Sequence, residues 1–143
     1  MKKILIATTN SHKYDEIVKI FGDEFDLMSL KEFPGIIDEP HEPFETFIEN
    51  AAHKAMYYAK LANVPVISED AGFCVEALGN FPGVYSKRFI DESGSLENAF
   101  SILEQRLQNF KNKSAFFNCS AVFYDPMNDC LLKSEGLVTG VVR

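Results

Sequence analysis

The spacing of hydrophobic residues changes several times along the chain, and each change marks a new element. Residues 3 to 8 are mostly apolar and predict a short buried strand. A helix is predicted next, because four apolar residues recur at helical spacing up to Gly22: Tyr14, Ile17, Val18 and Phe21. The stretch from Phe25 to Leu30 predicts a second strand. The chain therefore opens with strand, tight turn, helix and strand.

A long amphipathic helix is predicted from about Pro43 to Leu61, ended by Asn63 and Pro65. Its apolar face consists of Phe47, Ala51, Ala55, Tyr58 and Ala62. A short strand from Val64 to Ser68 follows. A third amphipathic helix starts near Ser95 and carries Leu96, Ala99, Phe100, Leu103, Leu107 and Phe110.

The last region has the period of a β-strand. Residues 115 to 124 alternate in the pattern of a strand, with bulky side chains on both faces. Residues 125 to 129 form a turn into a partner strand that begins near Cys130, and the sequence stops at residues 141 to 143, at the end of another strand. The mixture of strands and amphipathic helices places the chain in the α/β class.

Composition supports one compact domain. The chain has 143 residues with 46% hydrophobic content, enough to bury a core without disulfides. Cys74, Cys119 and Cys130 are odd in number and far apart, so we expect buried free thiols in a reducing compartment. The N-terminal apolar run is too short for a signal peptide, and no stretch is long enough to cross a bilayer. A cytoplasmic location is expected.

The charge narrows the possible partners. A formal net charge of −7 and a pI near 4.9 argue against a general DNA or RNA binder, because the surface would repel a polyphosphate backbone. A small anionic substrate stays possible if local cations, helix N-termini or a metal ion offset that field.

The first strand-to-helix turn is one candidate anion site. Hydroxyls, an amide, backbone N–H groups and an ammonium group meet there at a helix N-terminus, supplied by Thr8, Thr9, Asn10, Ser11, His12 and Lys13. No glycine-rich phosphate loop is present. The alternative is that Asn10 or Ser11 only caps the helix and Lys13 is solvated. Lys54 and Asn50 share one face of the long helix and could reach the same ligand.

Acidic residues form the second candidate group. Glu69 and Asp70 follow the strand predicted at Val64 to Ser68, which would place them at its carboxyl end, where open α/β sheets bind ligands. Glu42 precedes the long helix, and with Asp70 it would offer the hard oxygen ligands that Mg2+ prefers. The alternative is that Asp70 caps a turn before Gly72.

Other chemistries find no support in the sequence. The three histidines, His12, His41 and His53, share no metal-ligand spacing, so surface or capping roles are expected from their positions. There is no GxSxG motif and no Cys–His pairing that would indicate a covalent nucleophile.

Three sequence blocks together resemble the signature of one enzyme family. They are Ala7 to Lys13, Thr46 to Lys54, and Ser68 to Phe73 continuing to Ala77–Ser86. In order and spacing they resemble the non-canonical purine NTP pyrophosphatases, the inosine triphosphate pyrophosphatase or Ham1-like family. The resemblance implies an elongated, curved mixed sheet flanked by helices, two lobes with a central cleft, and a homodimer. It also implies Mg-dependent hydrolysis of ITP, dITP and XTP to the monophosphate and pyrophosphate.

The resemblance also implies roles for individual residues. Asp70 matches the family's proton acceptor, which activates water, and Glu42 and Asp70 match its metal ligands. Substrate binding is implied for Thr8, Thr9, Asn10, Ser11, His12, Lys13, Lys54 and Ala71. A pyrophosphatase of the related fold that acts on modified pyrimidine nucleotides is the weaker match, since Thr8 to Lys13 differs from that group's phosphate loop.

The chain departs from the family pattern at three places. Ala71 stands where a serine is common, and Asn80 replaces a common glycine. Relatives also continue past the position of Arg143 with Phe-Gly-Tyr-Asp-Pro and Ser-His-Arg blocks that help to recognise the purine base. We therefore expect residues 1 to 143 to be one pyrophosphatase domain that is incomplete at its C-terminus. The alternative is a non-catalytic nucleotide-binding or dimerisation remnant of the family.

Overall fold

The structure is a computed structural model that describes residues 2–36 and 38–143. The strands are Lys3–Ile6 (β1), Asp26–Ser29 (β2), Val66–Val75 (β3), Phe81–Pro82 (β4), Ser114–Asp125 (β5) and Cys130–Val141 (β6). The α-helices are Ser11–Phe21 (α1), Phe47–Ala62 (α2), Ser86–Ser93 (α3) and Leu96–Arg106 (α4). Short 3-10 turns lie at Leu30–Glu32, Glu76–Leu78 and Gly83–Tyr85. No helix in these ranges is long and apolar enough to cross a membrane.

The strands form a six-stranded mixed sheet in the order β2-β1-β3-β5-β6, with β4 paired to β3. Strand β1 runs parallel to both β2 and β3, whereas β4 is antiparallel to β3. The pairing of β1 with β3 covers only Leu5 with Val66 and Ile6 with Ile67. Strand β3 therefore extends well past the end of β1, and the β1–α1 turn begins at that point.

The contacts divide the chain into two compact units. The first contains the chain up to Asp70 together with Ser120–Ser134. Helix α2 packs its small residues onto the sheet there, and the buried cluster consists of Leu5, Ala7, Met28, Ala51, Ala55, Tyr58, Ala59, Val66 and Val122. Alanines along α2 allow the helix to approach the strands closely, which brings its other side chains near β3.

The second unit contains Ala71–Cys119 and Glu135–Arg143. Its core joins Val75 and Ala115 from the sheet to Leu103 and Leu107 from α4 and its end. Helix α4 begins at the predicted Ser95, whose hydroxyl accepts a hydrogen bond from the Asn98 amide. Both units thus pack amphipathic helices against strands, and the predicted α/β class is confirmed.

Several predicted boundaries need correction. Helix α2 begins at Phe47 rather than Pro43, because the Thr46 hydroxyl accepts from the Glu49 amide and caps the helix. Helix α4 ends at Arg106, four residues before the predicted Phe110. Helix α3 was not predicted. Cys74 is buried as expected, but Cys130 is exposed, so the prediction of buried thiols is wrong for that residue.

Strand β3 shows the largest difference from the prediction. It continues from Val66 to Val75 rather than ending at Ser68, so Glu69 and Asp70 lie within the strand and not at its carboxyl end. Burial alternates along it, but polar Ser68 and Asp70 occupy buried positions, which hides the apolar alternation that predicts a strand. The acids nevertheless lie just beyond the last β1 pairing, next to the β1–α1 turn.

Candidate functional site

The β1–α1 turn is shaped by its own side chains. The Asn10 side-chain oxygen accepts hydrogen bonds from the amides of His12 and Lys13, at 3.0 and 3.3 Å. The Thr8 hydroxyl accepts from the Asn10 amide at 3.1 Å. Asn10 is therefore the helix cap, as the alternative interpretation held. The first turn of α1 carries no acidic residue, so the positive end of the helix dipole is left for an external anion.

Lys13 is not simply solvated. Its ammonium group lies 2.8 Å from Glu69 Oε1, across from the helix on strand β3. This ion pair ties the beginning of α1 to the strand that carries Asp70. Lys13 thus stays close to the acidic residues, where it can also attract a negatively charged ligand.

Asp70 lies on the buried face of β3. Only 8% of its surface is exposed, and Oδ2 has no hydrogen-bond partner within residues 2–36 and 38–143. A carboxylate oxygen that is buried without a partner is costly, so such groups in folded proteins usually serve a ligand or a reaction. The turn-capping interpretation of Asp70 is wrong, because the residue is inside a strand.

Lys54 joins the two acids that were predicted to act together. Its ammonium group lies 2.8 Å from Glu42 Oε1 and 3.9 Å from Asp70 Oδ1. Helix α2 supplies Lys54, β3 supplies Asp70, and the loop before α2 supplies Glu42. Three parts of the sequence therefore meet at one cluster of charges, as the sequence predicted for Glu42 and Asp70.

Asn50 holds the loop that carries Glu42. It is completely buried, its side-chain oxygen accepts from the Phe44 amide, and its Nδ2 donates to the Phe44 carbonyl, both at 3.0 Å. These two bonds fix the backbone two residues after Glu42. Asn50 was predicted to reach a ligand from the same helix face as Lys54; in the structure its amide positions the loop and also hydrogen-bonds to Asp70.

The surroundings of Asp70 shift its proton affinity. Burial raises the pKa of Asp70 to about 6, and the negative charge of Glu42 adds to that rise. Lys54, a hydrogen bond from Asn50 and the charge of Lys13 lower the pKa and limit the shift. An acid with a pKa near the working pH can accept a proton from water far more readily than an ordinary aspartate.

The structure brings most of the predicted residues into two adjoining groups. Thr8 to Lys13 form the turn that Glu69 contacts, and Glu42, Lys54 and Asp70 form the charge cluster. Ala71 follows Asp70 on the opposite face of β3. In the part of the chain that the structure describes, no cluster of three or more His, Cys, Asp and Glu side chains suits a metal. Two carboxylates alone are compatible with Mg2+, which usually keeps waters and binds substrate phosphates.

No individual role was predicted from the sequence for two polar residues near Asp70. Glu69 was treated only as a neighbour of Asp70, although it pairs with Lys13. Ser68 is buried beside Asp70, and its hydroxyl has no hydrogen-bond partner within the described residues. Recognising residues 66–75 as one alternating strand would have placed Ser68 on the same face as Asp70.

Comparison with known proteins identifies the family. Residues 4–143 match the sequence profile of the Ham1 family. The chain belongs to the Ham1 family. This membership confirms the resemblance seen in the three sequence blocks, and it covers nearly the whole chain rather than the blocks alone.

The relatives of this Ham1-family chain include named enzymes. A dITP/XTP pyrophosphatase of Dictyoglomus thermophilum is 36% identical over 141 residues, covering 97% of this chain and 69% of the relative. One of Chromobacterium violaceum is 33% identical, covering 99% and 72%. A solved HAM1 protein from Coxiella burnetii has a TM-score of 0.87 at 28% identity, covering 99% of this chain and 73% of its own. The Ham1 fold is therefore shared along this chain's length.

Proposed function

We propose that this Ham1-family chain hydrolyses non-canonical purine nucleoside triphosphates, with ITP, dITP and XTP as substrates, to the monophosphate and pyrophosphate. The relatives named dITP/XTP pyrophosphatases support this reaction class, a hydrolysis of a phosphoanhydride bond. The observation that carries the proposal is the buried Asp70 carboxylate, which has a raised pKa, an Oδ2 without a hydrogen-bond partner in the described residues, and the Lys54 ammonium group 3.9 Å from its Oδ1.

The donor set fits a magnesium ion. Enzymes of this family are generally metal-dependent. Glu42 and Asp70 are hard oxygen donors held near one another by the same lysine. Bound there, Mg2+ would neutralise charge on the triphosphate as a Lewis acid. Glu42 and Asp70 would hold it.

The chain's own residues bind the phosphates and activate the attacking water. The α1 N-terminus and Lys13 bind the phosphates through backbone amides and one positive charge. Lys54 neutralises Glu42 and Asp70 and adds a second cation at the phosphates. Asp70 accepts the proton of the attacking water as that water bonds to phosphorus, and pyrophosphate leaves. No covalent intermediate is needed.

Neutralising Glu42 should weaken the binding of Mg2+ and leave the fold intact. We expect Glu42→Gln to raise the Mg2+ concentration for half-maximal pyrophosphate release by roughly tenfold or more, because one charged oxygen ligand is lost. Titrating Mg2+ against pyrophosphate release from ITP measures this. Glu45→Gln is the matched control, since Glu45 is exposed in the same loop, and its Mg2+ curve should match that of the unmodified chain. Equal curves for both variants would remove Glu42 from the metal site.

The competing proposal is a non-catalytic remnant of the family that binds nucleotides or dimerises. The chain spans about 70% of the length of its first relatives. Nucleotide binding with no pyrophosphate release would support it. The homodimer and the cytoplasmic location stay proposals alongside the pyrophosphatase, and sedimentation of the purified chain tests the first of them.

A further inference from the structure

Ser68 is a buried hydroxyl without an evident structural purpose. Only 2% of the residue is exposed, and its Oγ has no hydrogen-bond partner in the described residues. Leaving a hydroxyl unpaired in the interior destabilises the folded protein. An alanine would fill the same strand position at no such cost. The hydroxyl therefore has a use other than packing.

The position of Ser68 on strand β3 suggests that use. Side chains two residues apart on a strand point to the same face, so Ser68 and Asp70 share the buried face of β3. Asp70 Oδ2 likewise has no hydrogen-bond partner among residues 2–36 and 38–143. Both oxygens are buried on the same face without a partner in the described residues, so one bound molecule could satisfy both of them.

The distance between the two positions suits one water molecule. The Cα atoms of residues i and i+2 of a strand are roughly 7 Å apart, and two side chains on the same face can lean toward each other. This brings their oxygens within the roughly 5 Å that one water spans with two hydrogen bonds of about 2.8 Å. Water can donate one hydrogen to Asp70 Oδ2 and the other to Ser68 Oγ. Both hydrogens are then fixed, and the oxygen lone pairs point in one direction.

We propose that Ser68 is a positioning residue that orients the attacking water for Asp70. The inference rests on the proposed pyrophosphatase function. The water oxygen bonds to the α-phosphorus, the bond from that phosphorus to the bridging oxygen breaks, and pyrophosphate leaves with the bonding electron pair. The water proton that is hydrogen-bonded to Asp70 Oδ2 is transferred to that oxygen. Ser68 neither gains nor loses a proton. Ser68 acts on the substrate only through this water.

Ser68→Ala should separate turnover from binding. We expect kcat for ITP with Mg2+ to fall roughly 10- to 100-fold, the scale of a misplaced reacting group, while KM stays within about twofold. The thermal midpoint should stay the same or rise, because an unpaired buried hydroxyl is removed. Ser68→Thr keeps the hydroxyl and suits a strand, so it should recover kcat to within a few-fold of the unmodified chain.

Ser86 provides the matched control. It is a buried serine in the other unit, and its hydroxyl donates to the Gly83 carbonyl and accepts from the Phe73 amide. Ser86→Ala should lower the thermal midpoint and leave kcat unchanged, the reverse of Ser68→Ala.

The outcomes distinguish the two levels of the proposal. An unmodified chain that releases no pyrophosphate would overturn the pyrophosphatase and the Ser68 role together. An active unmodified chain whose Ser68→Ala variant keeps kcat within twofold would overturn the Ser68 role alone. A loss of kcat in Ser68→Ala that Ser68→Thr does not recover would also contradict it. In the Asp70→Asn background, adding Ser68→Ala should cause no further loss, because both residues serve one water.

Discussion

Replacing Asp70 by asparagine should reduce the rate of pyrophosphate release from ITP by roughly 10²- to 10⁴-fold, the usual contribution of a general base. The amide has nearly the same shape as the carboxylate but cannot accept the water's proton. Nucleotide binding should largely survive, because the proposed phosphate contacts come from the β1–α1 turn and from Lys54. Steady-state kinetics with ITP, together with nucleotide binding to the variant by calorimetry, measures both quantities.

Asp125 is the matched control for that substitution. It is also a buried aspartate, but it serves a turn: it accepts hydrogen bonds from the Asn128 side chain and the Met127 amide, and these lower its pKa. Asp125→Asn should lower thermal stability and leave kcat unchanged. A variant at position 70 that retains normal turnover would remove Asp70 from the chemistry.

The same Asp70→Asn substitution should stabilise the metal-free protein at neutral pH. The pKa of Asp70 is raised from 3.8 in the unfolded chain to about 6 in the folded one, so the folded state binds the extra proton between these values. The unfolding free energy therefore falls as pH rises from about 4 to 6 and stays low above that range. Two pKa units correspond to about 3 kcal/mol, which asparagine avoids at pH 7.5 because it never ionises.

Urea unfolding at pH 4 and pH 7.5, with EDTA present, tests whether the unfolding free energy falls as pH rises. The increase in unfolding free energy caused by Asp70→Asn should be large at pH 7.5. It should shrink toward zero at pH 4, where Asp70 is largely protonated in the folded protein. Magnesium should reduce the difference in unfolding free energy between the two proteins at pH 7.5, because the proposed metal site needs both carboxylates in the folded protein. A variant less stable than the unmodified chain at pH 7.5 would contradict the burial cost assigned to Asp70.

The sequence predicted most of the elements because their patterns are local. The helix of Ser11–Phe21 carries its own cap and ends at Gly22, and the helix of Phe47–Ala62 ends in a left-handed residue at Asn63, as expected. Long alternation likewise predicted β5 and the turn before Cys130. These features depend only on residues a few positions apart, so they can be predicted without knowing the rest of the fold.

The errors arise where tertiary context overrides the local pattern. Polar Ser68 and Asp70 occupy buried strand positions, and Gly72 reads locally as a turn, so β3 was predicted to end too early. Nothing in the sequence near Asn50 shows that its amide binds Phe44 rather than a ligand. The pairing of Lys13 with Glu69 also joins residues far apart in sequence. Functional sites are where such departures concentrate, because polar groups are buried there for chemistry.

Product analysis of ITP hydrolysis by the unmodified 143-residue chain tests the central claim most directly. With Mg2+ present, the account predicts inosine monophosphate and pyrophosphate in equal amounts, and EDTA should stop the reaction. Release of orthophosphate instead would show cleavage between the β- and γ-phosphates, which contradicts the proposed α–β cleavage. Bound ITP that stays intact in the presence of Mg2+ would show that the chain binds the nucleotide without catalysing its hydrolysis.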